Sequence, residues 1–162
     1  MELSRGEYIP LYLELRKISK AHSLKDRIFA AFESLGLKVD DPIFEALADS
    51  GKLLLLLDAF DEIPDELKAT VLTDIEDLAS AKPDLRIVIT SRPHQNIQVS
   101  NHFLVVALDN LIGAEYKNVI MKLASGQAWA ENLVSHIEKR ASHIREMLCT
   151  PLMVSLLVLS YK

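Results

Sequence analysis

Residues 53–57 are five consecutive leucines, and the run stops at Asp58 with Asp61 and Glu62 close behind, giving "LLLLLDAFDEI" up to Ile63. Successive side chains of a strand point to opposite faces, so a strand apolar at every position needs cover on both. The run therefore predicts a strand of a parallel sheet with helices on both faces. The acids that end it have two readings. A strand can simply reach the surface, with carboxylates crowding the turn before a helix. The carboxyl end of a parallel strand is also where α/β proteins place their ligands, magnesium among them.

The flanking sequence supplies the partners of that strand. In "YIPLYLELRKI" (Tyr8–Ile18), Ile9, Leu11, Leu13 and Leu15 fall on one face, with Tyr12 and Glu14 on the other, a period-two pattern that predicts a strand. Ser23 and Asp26 form a capping box ahead of Leu24, Ile28, Phe32 and Leu35 at helical spacing, with Gly36 as the stop. Asp41-Pro42 opens a second short helix that ends near Gly51. Pro64 and Asp65 start another, with Leu67, Val71, Ile75 and Leu78 on one stripe, broken by Lys82-Pro83-Asp84. "LRIVITSRPH" predicts the next strand, and "HFLVVALDNL" a further one after a polar loop. From Gly113 onward the pattern is helical only. Leu133, Ile137, Ile144 and Leu148 make a stripe, and Thr150-Pro151 supplies the cap and first residue of a last helix.

A chain of 162 residues has the length of one ordinary domain, and its net charge of -5 with scattered Lys and Arg offers no nucleic-acid footprint. The single Cys149 excludes an internal disulfide framework and suits a reducing compartment. Met1–Gly6 has no signal-peptide pattern, and the longest apolar stretch, Pro151–Leu159, falls far short of a membrane span of ~20 residues. These features predict a cytoplasmic protein with no membrane or nucleic-acid partner.

A magnesium–nucleotide site needs one carboxylate to hold the hydrated metal and another nearby to orient or deprotonate the attacking water. Asp58 at the strand end suits the first task, and Asp61 or Glu62 the second, with Asp61 ranked ahead. The small Ala59 leaves room at the metal. Arg92, just past the next strand, is placed to reach a γ-phosphate. The other candidates carry less. His22, His94, His102, His136 and His143 have no Cys or carboxylate at metal spacing. Met147 and Cys149 read as core beside the last helix, and Trp129 as packing between helices. Ser91 lacks a G-x-S-x-G setting.

"LLLLLDAFDEI" followed about thirty residues later by "RIVITSRP" resembles the NACHT group of STAND NTPases, signalling ATPases of innate-immunity-type receptors. The resemblance lies in Asp58-Ala59-Phe60-Asp61-Glu62 after an apolar run, and in Thr90-Ser91-Arg92 at the end of the next strand. "YIPLYLELRKI" looks like the strand before this pair. "CTPLMVSLLVL" is similar to the helical segment whose proline, here Pro151, lies against the nucleotide base.

The resemblance implies an AAA-like P-loop NTPase core with a parallel sheet in the order 5-1-4-3-2, followed by a helical lid. "YIPLYLEL", the leucine run, "RIVIT" and "FLVVAL" would then be the family's second to fifth strands. It also implies ATP and magnesium as ligands, slow turnover that serves a conformational switch, and self-oligomerisation or effector domains in the complete protein. An acid normally adjoins the metal-binding aspartate in mechanical AAA ATPases, and Ala59 argues against that class.

The family's phosphate-binding loop, G-x-x-x-x-G-K-[ST], is missing from these residues; Gly51-Lys52 runs on into Leu53. A piece of a longer protein is the preferred explanation, since Asp58 and Arg92 are retained; the alternative is a scaffold that no longer uses nucleotide. The expected organisation is residues 1–110 as the central part of the nucleotide-binding domain and 111–162 as a truncated lid. Strand 1 and the loop are absent, so the chain by itself is expected not to bind ATP, and "FLVVAL" to lack its neighbour.

Overall fold

The computed structural model describes residues 8–93, 95–125, 127–140 and 142–161. Two compact units, Met1–Val105 and Val106–Lys162, divide the chain.

Among the described residues, the first unit is built on three parallel strands: β1 (Ile9–Glu14), β2 (Leu53–Asp58) and β3 (Arg86–Ile89), adjacent in that order. The register sets Tyr12 opposite Leu56 and Glu14 opposite Asp58, while Leu56 faces Val88. Helices α1 (Leu24–Ser34) and α2 (Asp41–Asp49) connect β1 to β2, and α3 (Asp65–Ala81) connects β2 to β3. The capping box forms as expected: Ser23 Oγ accepts from the Asp26 N–H, and Asp26 accepts from the Ser23 N–H. Asp40 caps α2 by accepting the Ile43 N–H, with Pro42 in the first turn where no amide is needed.

Leu11, Leu13, Leu53, Leu55 and Leu57 are buried on one face of the sheet, packed with Ile28, Phe32, Phe60, Val71 and Ile75. The opposite face differs from the expectation of cover on both sides. Leu54 is buried there and Leu56 half-buried, but Tyr12 and Val88 are 56% and 50% exposed. The reason is topological. Both connections step the same way along the sheet, and right-handed crossovers then lay their helices on the same face.

A second departure concerns "FLVVAL", which forms no strand, in keeping with the expectation that it lacks its neighbour. Residues 104–112 form no helix or strand, and Leu104 and Leu108 are 90% and 97% exposed. Its side chains have the β-propensity of a strand, but propensity without a ladder partner leaves the backbone unpaired. The three-stranded α/β core otherwise agrees with a P-loop NTPase-like fold.

The second unit holds α4 (Glu115–Ala124), α5 (Trp129–Arg140), α6 (Ser142–Met147) and α7 (Pro151–Tyr161). Tyr116, Ile120, Leu133, Ile137, Leu148, Val154 and Val158 form its core, with Trp129 and Ile144 packed against it. Thr150 caps α7 by accepting the Met153 N–H at 3.3 Å. Met147, expected in the core, is 55% exposed, because it ends α6 where the chain turns toward α7. Among the described residues, no helix is long and apolar enough to cross a membrane.

Candidate functional site

The carboxyl ends of the three strands bring Tyr12, Asp58 and Thr90 together. Thr90 follows β3 directly and ties it to the turn after β2. Its N–H donates to the Leu57 carbonyl, and its own carbonyl accepts from the Phe60 N–H, each at 2.9 Å. The Ala59 N–H donates to Thr90 Oγ1 at 2.9 Å, so the hydroxyl, already accepting there, points its proton at Asp58 Oδ1, 2.5 Å away. Tyr12 Oη donates to the other oxygen, Asp58 Oδ2, at 2.8 Å. Both hydroxyls favour the ionised carboxylate, Thr90 most and Tyr12 next, and hold it below the usual aspartate range. Asp58 in turn pushes the Tyr12 phenol upward, chiefly through that hydrogen bond.

Ala59 makes the bend. It stands in the left-handed region at φ 61°, ψ 58°, a conformation uncommon for a residue with a Cβ. One turn of 3₁₀ helix, Phe60–Glu62, follows and sets the next two acids. Phe60 is buried in the core and pins the turn.

Asp61 points at Arg92. The Arg92 backbone N–H lies 3.0 Å from Oδ1, and Nε lies 2.7 Å from Oδ2. The Asp61 side chain is only 9% exposed, whereas that of Arg92 is 75% exposed. This leaves most of the guanidinium turned to solvent. The backbone N–H of Arg92 is the main reason that Asp61 stays below the usual aspartate range, with the guanidinium adding to it. Glu62 is 39% exposed and sits at longer range from two cations, 3.8 Å from Arg92 Nη2 and 3.9 Å from Arg16 Nη1. Arg16 itself pairs with Glu14 at 2.5 Å.

Four of the five residues singled out from sequence, Asp58, Asp61, Glu62 and Arg92, thus meet at the strand ends of the first unit. Pro151 belongs to the second unit, as the first residue of α7. Tyr12 and Thr90 are the members that sequence reasoning missed as site residues. Thr90 lies inside the Thr-Ser-Arg motif; the period-two pattern gives Tyr12 its face of the strand, and only the strand register brings it to Asp58. His94 lies outside the described residues.

Magnesium favours oxygen donors and keeps several waters, taking one or two carboxylates plus substrate phosphates. Asp58 with the Thr90 hydroxyl beside it fits that preference. Among the described residues, no three His, Cys, Asp or Glu side chains cluster as a metal cage. A metal at Asp58 would need water and phosphate for its remaining contacts.

A family model described as the NACHT domain matches residues 3–127, the greater part of the chain. The match takes in Tyr12, Asp58, Asp61, Glu62, Thr90 and Arg92, and stops short of Pro151. No curated protein matches the chain.

Proposed function

Because the chain belongs to the NACHT domain family of P-loop NTPases, we propose that it is part of a nucleotide-dependent signalling switch. In the complete protein the ligand is ATP with magnesium, hydrolysis is slow, and the bound and hydrolysed states hold different arrangements of the chain. Asp58 holds the hydrated magnesium. Arg92 reaches the γ-phosphate through the guanidinium nitrogens that Asp61 leaves free. Pro151 lies against the base. Self-oligomerisation or attached effector domains carry the signal, in the cytoplasm.

The acids after Asp58 divide the remaining work. The sequence favours Asp61 over Glu62 for handling the attacking water, but both Asp61 oxygens are engaged by Arg92. Glu62 keeps its carboxylate at longer range from any cation and is the better acceptor for a water proton. Asp61 then acts chiefly as the anchor of Arg92.

One observation carries the reading: an ionised Asp58 and an anchored, outward-facing Arg92 stand at the carboxyl ends of adjacent parallel strands. Its test is Asp58→Asn in the full-length protein. Magnesium-dependent hydrolysis should fall by about two orders of magnitude with the fold retained, although the loss of the Thr90 and Tyr12 contacts to an ionised carboxylate lowers the melting temperature. Wild-type turnover in the variant would remove Asp58 from the site.

A nucleotide-independent scaffold is the competing reading, and it rests on the lack of a G-x-x-x-x-G-K-[ST] motif in these 162 residues. On that reading, neither Asp58→Asn nor Arg92→Ala changes signalling.

A further inference from the structure

We propose that Tyr12 is a positioning residue for Asp58, its phenol hydroxyl fixing the plane of the carboxylate that receives hydrated magnesium. The inference rests on the functional reading above and adds a residue to it from another strand.

The register makes the contact possible. Glu14, not Tyr12, is opposite Asp58 in the β1–β2 ladder, and Tyr12 lies two residues earlier on the same face. A short side chain at that position falls short of Asp58; the six-membered ring carries the hydroxyl along the strand direction to 2.8 Å from Oδ2. Packing does not account for the aromatic. Tyr12 is 56% exposed and stands outside the hydrophobic core that claims its neighbours Leu11 and Leu13.

Two donors do what one cannot. With Thr90 alone, the carboxylate can turn about the Cβ–Cγ bond while its Oδ1 contact is kept. With Thr90 on Oδ1 and Tyr12 on Oδ2, donors arrive from the strands on either side and the plane is set. An ionised carboxylate offers about four lone-pair directions, and the two hydroxyls take one on each oxygen. One on each oxygen is left for the waters of a hydrated cation. Removing such an outer partner of a metal-binding group typically costs 10–100-fold in metal affinity or activity.

The experiment compares wild type, Tyr12→Phe and Asp58→Asn in the full-length protein. Phenylalanine keeps the ring and deletes only the hydroxyl, at an exposed position where the fold asks little of it. Two quantities are read: magnesium dependence of hydrolysis at saturating ATP, and Mn²⁺ binding with ADP present, by electron paramagnetic resonance. Tyr12→Phe should raise the half-saturating magnesium and the Mn²⁺ dissociation constant about tenfold, with a much smaller fall in kcat at saturating metal. Metal-free ADP affinity and melting temperature should match wild type. Unchanged half-saturation in Tyr12→Phe, alongside lost hydrolysis in Asp58→Asn, overturns the role of Tyr12 and leaves the functional reading standing. A fall in kcat that tracks a lowered melting temperature, with metal affinity unmoved, shows a purely structural tyrosine and overturns it too. Wild-type metal dependence in Asp58→Asn overturns the functional reading and this inference together.

Discussion

Arg92 is held by Asp61 at two points, backbone N–H to Oδ1 at 3.0 Å and Nε to Oδ2 at 2.7 Å. A guanidinium docked by its Nε edge keeps its Nη groups in a fixed plane for a second anion, with Nη2 3.8 Å from Glu62; a lysine ammonium lacks that planar fork. Asp61→Asn should release it. The expected result in the full-length protein is a loss of about tenfold in the preference for ATP over ADP, with Arg92→Lys behaving alike. Calorimetric dissociation constants for the two nucleotides decide the matter; an undiminished preference in Asp61→Asn would show that the pair does no anchoring.

The same pair makes stability depend on acid. Asp61 is held below the ordinary aspartate value by the Arg92 N–H first and its guanidinium next. The unfolded chain therefore takes up the proton more readily than the folded one. The contribution is complete above the unfolded value of about 3.9 and is lost as pH falls through the lower folded value. The urea midpoint of Asp61→Asn should lie below wild type at pH 7, and the gap should close on acidification toward pH ~3. A gap constant over that range would contradict the assignment.

Ala59 offers a test of backbone energetics. At φ 61° it carries a left-handed conformation that costs a residue with Cβ about 1–2 kcal/mol. Ala59→Gly relieves that strain and loosens the unfolded chain, so the two effects roughly cancel. Ala59→Val adds a branched Cβ where φ is positive and should destabilise by about 1–2 kcal/mol. Equal melting temperatures for the valine and glycine variants would argue that the bend is not left-handed in solution.

Leu104, Val106 and Leu108 are 90%, 76% and 97% exposed without a ladder. Their amides should exchange with solvent far faster than those of Leu53–Leu57, which lie between two strands. An exposed apolar β-prone stretch also promotes association. Val106→Lys with Leu108→Lys should slow aggregation of the 162-residue chain while leaving its melting temperature within about 1 °C. Strong protection at Leu104–Leu108 would show that the segment has found a partner strand.

The parts of the fold legible in the sequence were those fixed by near neighbours. The Ser23–Asp26 box, the Pro64 boundary and the Thr150 cap are local exchanges of amides and side-chain oxygens, so spacing alone reveals them. The leucine run and "RIVIT" announced themselves as short apolar, β-prone runs bounded by turn signals, although only the leucine strand is buried through most of its length. "FLVVAL" has the same local preference and failed, since a strand exists only with a partner and the partner lies elsewhere in a sheet. The one-sided cover of the sheet was missed for a related reason: which face a helix takes depends on strand order. At the site, Asp58 and Arg92 were visible as acids and bases at strand ends. The pairing of Asp61 with Arg92, and of Tyr12 with Asp58, depends on cross-strand geometry that no short window contains.

Tyr12, Glu14, Asp58 and Thr90 share one parity of the pleat, and the leucines of the core share the other. A slip of one residue between β1 and β2 would turn Tyr12 into the core face and Leu11 or Leu13 out toward Asp58. The hydrophobic frame and the chemical frame are thus read from a single alignment of strands. The core acts as a proofreader for the site: a chain that buries its leucines correctly has, by the same act, aimed its hydroxyls at the carboxylate.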